Sequence, residues 1–403
     1  MTRICKLLGL LSVMTLAAAA ATAQNSDDVI RIGVLDDMSG VFSDSSGPGN
    51  VVSAQLAAED LGGKVAGRRI EIVSADHQNK PDIGASIARQ WFDQGGVDAI
   101  VGLGNSAVAL AVSELGAKSN RAILASGAIS SLLTGAKCNP LTLQWTVDGY
   151  SLTNAAVRGL MAAGEDTWFF VTVDYAFGLD LEQNAARFVK DSGGKVVGSV
   201  RHPLNSLDFS SFILQAQASK AKVVALANGG QDMSKAVKQA QEFGLVRGQK
   251  LVGLTVTIDE VHSLGLKSAG GLQLATPFYW DMDENTRTWS RRFAARMNGK
   301  MPSMMQAGAY SAALHYLKAV AAAATDDGKA VIDKMKALPT EDPVFGSGSV
   351  RQDGRKLHPM HLYEVKSPEE SKGAWDYQKL IRTLPADQVF RPMSEGGCPF
   401  VKS

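Results

Sequence analysis

Gly102-Leu-Gly-Asn-Ser-Ala107 matches the G-x-G-x-x-A pattern that leads a strand into a helix at many nucleotide sites. That chemistry needs an acidic residue about 20 positions on to hold the ribose hydroxyls. The next strand end is Ala125-Ser126-Gly127 instead. The same turn suits a small anion better. Asn105 can cap the helix, leaving backbone N–H groups and the Ser106 hydroxyl turned toward a carboxylate. His358-Pro-Met-His361 has metal-ligand spacing but reads as strand, where the two imidazoles face opposite sides. His77, in Asp76-His-Gln-Asn79, reads as a polar turn residue. No G-x-S-x-G elbow occurs, and the six histidines form no cluster with cysteine or acid. These residues predict binding without catalysis, and with no metal or cofactor.

Aromatic residues supply the second signal. Tyr175 and Phe177 flank one strand end, and Phe278-Tyr279-Trp280 stands in another polar junction. Singly, such residues are ordinary core. Converging on a cleft, they line a pocket for an apolar or aromatic ligand body. Phe42, Tyr150 and Asn228 join the candidate lining.

The elements that must position these groups alternate. Strands are expected at Ile30–Leu35, Arg69–Ser74, Ala99–Gly102 and Ala122–Ala125, with helices at Asn50–Leu61, from Pro81, and at Ser106–Ala117. After a break at Gly135–Pro140 the pattern restarts with strands at Trp168–Val173, Lys195–Val200, Val223–Leu226 and Leu251–Leu254. Helices at Leu179–Asp191, Phe209–Lys220 and Asp232–Phe243 separate them. Two longer helices near 286–298 and 306–324 and a Gly-rich hairpin-like segment at Phe345–Val350 follow. The alternation predicts an α/β chain of two doubly wound parallel-sheet lobes joined by a multi-strand hinge. The expected lobes are 24–147 with 277–351, and 148–276 with 352–390, followed by a tail at 391–403. Ligands of such sheets bind beyond the carboxyl ends of strands, where this chain is polar, small or aromatic.

Composition sets the compartment and the excluded classes. The 403 residues carry 41 Lys+Arg against 40 Asp+Glu, so no basic footprint for nucleic acid exists. A mean hydropathy of -0.02 fits an ordinary globular chain. Arg3 and Lys6 precede an uncharged run from Leu7 to Ala23, and Ala21-Thr22-Ala23 fits a cleavage site. Residues 1–23 therefore read as a secretory signal peptide; the run is too weakly apolar for a membrane anchor. Of three cysteines, Cys138 and Cys398 survive cleavage, and export permits one pairing between them, with two free thiols as the alternative.

Ile30-Arg-Ile-Gly-Val-Leu35, Met38-Ser-Gly40, Gln55-Leu-Ala-Ala-Glu-Asp60 and Gly67-Arg-Arg-Ile-Glu-Ile-Val73 together resemble the opening of the leucine/isoleucine/valine-type periplasmic binding proteins. Asp174-Tyr-Ala-Phe-Gly178, Asp208-Phe-Ser-Ser-Phe212 and Gln239-Ala-Gln-Glu-Phe-Gly244 continue the likeness along the mature chain. The resemblance implies a type I two-lobe fold that closes on a solute and delivers it to an inner-membrane ABC permease, as a monomer and without catalysis. A sensor module on the same fold is the alternative role. The family's first-lobe carboxylate site falls on Ser106 and on Ser126, Ala128 and Ser130. Its second-lobe aromatic falls on Phe177, and its ammonium-pairing acid falls on Thr255. Ile129 stands where the family usually has Thr. A buried ammonium without an acid costs several kcal/mol. Thr255 therefore favours a carboxylate ligand lacking the amine, as in the family's aromatic-acid branch, over an amino acid; Asp148, Asp259 or Glu260 as a substitute ammonium partner is the alternative.

Overall fold

Strand β1 (Val29–Asp36) begins with half-buried Val29 and Arg31 alternating with buried Ile30 and Ile32, then runs continuously buried to Asp36, as a central parallel strand requires. The computed structural model describes residues 28–401, so the expected signal segment lies outside the described residues. Helix α1 (Gly47–Asp60) starts on Gly47-Pro48, a proline-first turn, and returns the chain to β2 (Lys64–Val65) and β3 (Arg68–Asp76). Then come α2 (Pro81–Asp93), β4 (Ala99–Gly102), α3 (Ser106–Ser119), β5 (Ala122–Ala125) and β6 (Thr142–Gln144). They form one sheet in the order β2-β3-β1-β4-β5-β6, parallel except for the short β2–β3 pair.

A second unit follows through α4 (Gly149–Ala162), β7 (Thr167–Val173), α5 (Ala176–Asp191), β8 (Lys195–His202) and α6 (Ser210–Ala218). It continues with β9 (Val223–Ala227), α7 (Gly230–Glu242), β10 (Lys250–Gly253), α8 (Ile258–Leu264), α9 (Leu266–Ala269) and β11 (Gln273–Thr276). Its parallel sheet runs β10-β9-β7-β8. Helix α4 has no counterpart among the helices expected from the sequence, because its first turn is Gly, Tyr, Ser and Leu rather than a strong helix former. A reciprocal cap between Asp148 and Ser151 starts it. Helices α5 and α7 begin two or three residues earlier than periodicity suggests, on Ala176 and Gly230, which places their first turns at the cleft.

The chain then returns to the first unit. Helices α10 (Glu284–Ala294), α11 (Met304–Ala323) and α12 (Gly328–Ala337) lead to the hairpin sheet β12 (Thr340–Asp342), β13 (Gly346–Val350) and β14 (Lys356–Leu357). Helix α11 packs along α1, and Arg292 and Arg296 of the preceding segment meet Asp60 (2.6 Å) and Glu59 (2.8 Å) at its end. Strand β15 (Met360–Val365) pairs antiparallel with β11 on one side and with β16 (Gln378–Leu384) on the other, and α13 (Ala386–Val389) lies on α4.

The chain crosses between the units near residues 145–148, 276–279 and 353–359. Two of the crossings are tied together. Gln144 N–H donates to the Gly354 carbonyl (2.9 Å), Arg355 donates to the Trp145 carbonyl (2.8 Å), and His358 Nε2 contacts the Thr146 carbonyl (2.7 Å). His358 is thus a buried hinge residue stacked on Phe345, while His361 lies in β15 against Thr383; the pair does not converge. Cys138 and Cys398 form a disulfide with Cα atoms 5.5 Å apart. No helix among the described residues is long and apolar enough to cross a membrane.

Candidate ligand-binding site

The strand ends of both units face one another across a cavity lined from both sides. On the first-lobe wall, the Asn105 side chain caps α3 by accepting from Ala107 N–H (3.0 Å) and Val108 N–H (3.2 Å). Ser106 Oγ accepts from Ile129 N–H (3.2 Å) and Ser130 N–H (3.1 Å), so one hydroxyl fixes the whole loop after β5. The Ser106 and Ala128 N–H groups have no acceptor among the described residues. Both stand at the turn that the sequence marks for an anion.

Behind this wall lies an acid pair that organises the loop after β1. Asp36 accepts from Gly104 N–H (2.9 Å) and Asn50 Nδ2 (2.6 Å), and burial pushes its carboxyl up to about 6 despite those donors. Asp37 accepts from Gly40 N–H (2.6 Å), Phe42 N–H (2.9 Å) and Asn79 Nδ2 (2.6 Å). The loop is pinned from the far side by Gln306 Nε2 donating to the Asp44 carbonyl (2.9 Å). Phe42 is thereby held in the cavity. His77 stands at the turn after β3, where its Nδ1 accepts from Asn79 N–H (3.0 Å); it is completely buried beside this pair, and desolvation pushes its imidazole down to about 4.

The second-lobe wall is different in kind. Tyr175 and Phe177 open α5 with rings 5.7 Å apart, and Phe177 meets Phe42 edge-to-face at 6.2 Å across the cleft. Thr255 lines the cavity with its hydroxyl buried and unpartnered. Glu260 also lines it: the carboxylate accepts from Gly230 N–H and Thr257 N–H, and burial pushes it up to about 7. A small side chamber opens beside Glu260 between Asp44 and Asp259. Burial next to Glu260 and Asp44 holds the Asp259 carboxyl well above its usual range, while Lys300 pairs with Asp44 at 3.1 Å.

The two walls are in contact. Gln231 N–H donates to the Val41 carbonyl (3.2 Å), and Ser131 donates from N–H and Oγ to Asp180 (both 3.0 Å). Burial and the neighbouring Asp148 push Asp180 up to about 7. Gly230 has φ +64°, and a Cβ there would run into the Val41 carbonyl. Glycine is required for this approach.

Of the residues singled out from sequence, Phe42, Ser106, Tyr175, Phe177 and Thr255 line the cavity. Asn105, Ser126, Ala128 and Ser130 build the loop behind it. The Ser126 carbonyl accepts from Thr146 Oγ1 (2.6 Å), and the Ala128 and Ser130 carbonyls accept from Gln144 Nε2 (3.0 and 3.1 Å). Asn228 is buried one residue behind Gly229, with its amide 3.1 Å from His202 Nε2. Two stand elsewhere. Tyr150 packs on Phe188 (4.9 Å) under the Arg187 guanidinium (4.9 Å), because its place in the first turn of α4 turns it to α5. Tyr279 donates to the Trp375 carbonyl (2.9 Å) and accepts from Tyr377 N–H (3.1 Å), which satisfies its hydroxyl inside the second lobe. Glu260 is not among the twelve ligand candidates, and the sequence offers it only as one of three substitute ammonium partners. Its signal is legible: Thr257-Ile-Asp-Glu260 is a capping box directly after a strand end.

Residues 29–374 match the family model described as periplasmic binding protein. A crystal structure of a periplasmic binding protein from Burkholderia mallei is 44% identical, with a TM-score of 0.91, covering 93% of this chain and 100% of that one. A branched-chain amino acid ABC transporter periplasmic ligand-binding protein from Burkholderia xenovorans is 41% identical, with a TM-score of 0.82, covering 92% and 99%. The solute-binding protein of an ABC transporter from Rhodopseudomonas palustris, in complex with 3,4-dihydroxybenzoic acid, shares the fold at 21% identity and a TM-score of 0.81, covering 89% and 98%. With its parallel-sheet lobes, its three-segment hinge and its walled cavity, the chain belongs to the periplasmic binding protein family, the non-enzymatic substrate-binding proteins of ABC transporters.

Proposed function

We propose that this protein captures a small carboxylate with an aromatic body between its two lobes, in the periplasm, and delivers it as a monomer to an inner-membrane ABC permease. The moving lobes are 24–147 with 277–351, and 148–276 with 352–390. The observation that carries the reading is the pairing of walls: the unpartnered Ser106 amide, with Phe42 beside it, opposite the rings of Tyr175 and Phe177. Buried amides suit an anion, and hydrogen bonds to a charged group contribute about 1.5–3 kcal/mol each. Ser130 and the Ser106 hydroxyl hold those amides in place. Thr255, at the family's acid position, presents a hydroxyl rather than a charge.

Calorimetry with benzoate, phenylacetate and cinnamate against acetate and butyrate tests the class. Aromatic acids are expected to bind at least tenfold tighter. Equal binding of the short aliphatic acids removes the aromatic part of the reading.

A second reading, an amino-acid ligand, is favoured by one observation: Glu260 puts a carboxylate in the lining five residues after Thr255. Phenylpropionate against phenylalanine decides between them. Tighter binding of the amine-free member supports the first reading.

A further inference from the structure

Glu260 does more than cap a short helix. It is buried, its two oxygens accept backbone N–H groups from Gly230 and Thr257, and it still faces the cavity. Each carboxylate oxygen has a second lone pair, so one acceptor position per oxygen remains for a ligand. The Thr255 hydroxyl beside it is nine-tenths buried, lines the same cavity and has no partner. The Thr255 hydroxyl is therefore unsatisfied without a ligand, and Glu260 keeps acceptor positions open to a ligand donor. A bare aromatic ring against this wall leaves the hydroxyl unpartnered and those positions empty.

We propose that Glu260 is the specificity-determining residue of the cleft, selecting carboxylates that carry a hydrogen-bond donor, an ammonium or a ring hydroxyl, on the side turned to the second lobe. The inference rests on the carboxylate reading above. Its direction follows from the walls: the first lobe supplies donors to the ligand's anion, and the second supplies acceptors. The other ionisable groups around Glu260 are Asp259 on its own helix, the Asp44–Lys300 pair at the side chamber, Asp232 on α7, and Tyr175. A donor-bearing ligand stabilises ionised Glu260, whereas a donor-free acid favours its protonated form. Because burial lifts this carboxyl to about 7, the two ligand types diverge near neutral pH.

The test uses two matched pairs, benzoate with 4-hydroxybenzoate and phenylpropionate with phenylalanine, titrated by calorimetry into the whole protein and into E260Q. In the wild type, the donor-bearing member of one pair is expected to bind about tenfold tighter; which pair shows this identifies the donor. Its advantage over its partner grows from pH 6 to pH 8. In E260Q that advantage falls about tenfold and loses its pH dependence. Within a pair, any general loss of closure in the variant cancels, and the wild-type pH profile needs no variant at all. Acids that bind without a preference in either pair overturn the Glu260 inference and leave the carboxylate reading intact. Equal weakening of both members by E260Q overturns it in the same way. No binding of any of the four overturns the carboxylate reading and this inference with it.

Discussion

The two walls of the cleft solve different problems. On the first-lobe wall, the named polar side chains are spent internally: Asn105 on its own helix, Ser106 on the loop after β5, Asp36 and Asp37 on the loop that carries Phe42. What remains for a ligand is donors, backbone N–H and the Ser106 hydroxyl's own O–H, with the Ser126 hydroxyl unpartnered behind the wall. On the second-lobe wall the side chains themselves face the cavity, with Thr255 unpartnered and Glu260 accepting from two amides. A main-chain anion site is insensitive to most substitutions and recognises only charge and shape. A side-chain wall can change its ligand by changing one residue. On the proposed reading, affinity for the carboxylate belongs to the first lobe and discrimination among carboxylates to the second.

The largest expected effect tests the rigid side. The Cys138–Cys398 bond closes a separation of 260 residues, and chain entropy puts its contribution at about 5 kcal/mol at most. A C138S/C398S variant is expected to melt well below the wild type by calorimetry, yet to keep the same order of ligand preference. A changed preference would mean that the tail shapes the second-lobe wall.

Closure comes next. Gly230→Val places a β-branched side chain at positive φ against the Val41 carbonyl. Ligand affinity should fall about hundredfold, near 2.7 kcal/mol, and small-angle scattering should no longer show ligand-induced compaction. Unchanged compaction would show that the walls meet by another route.

The walls themselves are compared by Ser106→Ala and Thr255→Val. The first strands the Ile129 and Ser130 N–H groups, so it should lower both stability and affinity for every carboxylate by about 1–3 kcal/mol. The second removes an already unpartnered hydroxyl and should alter ligand ranking while thermal stability stays within about 1 kcal/mol. Equal loss of stability in both variants breaks the distinction.

The smallest effect is common to all ligands. Asp180 holds Ser131 across the cleft, and its carboxyl rises from the ordinary 3.8 to about 7 when buried there. The closed form therefore binds more protons than the open form between roughly pH 4 and 7, and closure is favoured as pH falls through that window. Asp180→Asn, which keeps both hydrogen-bonding partners, should remove a few-fold tightening between pH 8 and pH 6 shared by every ligand.

Much of this molecule is legible in one dimension. The strands at 99–102 and 122–125 are found where their four-residue apolar runs lie, and α3 starts on Ser106 behind its Asn105 cap. Their signals are local: a buried parallel strand must be apolar throughout, and a helix start must satisfy its own amides. Five of the twelve singled-out ligand residues line the cavity for the same reason, since strand ends are visible as the points where apolar runs stop. Tyr150 and Tyr279 sit in identical-looking junctions and point elsewhere, because a side chain's direction is set by the helix or hydroxyl partner it meets.

The α/β alternation, the Asn105-capped turn before α3 and the pair of cysteines that could join are set by the sequence alone, because each depends on residues close in the chain or on counting. Only the tertiary structure decided that Val41 would touch α7, that Asp180 would reach Ser131, and that Glu260 would share a cavity with Ser106. Those contacts join residues from opposite lobes, and their positions depend on how a three-segment hinge sets two rigid sheets, which no local pattern encodes.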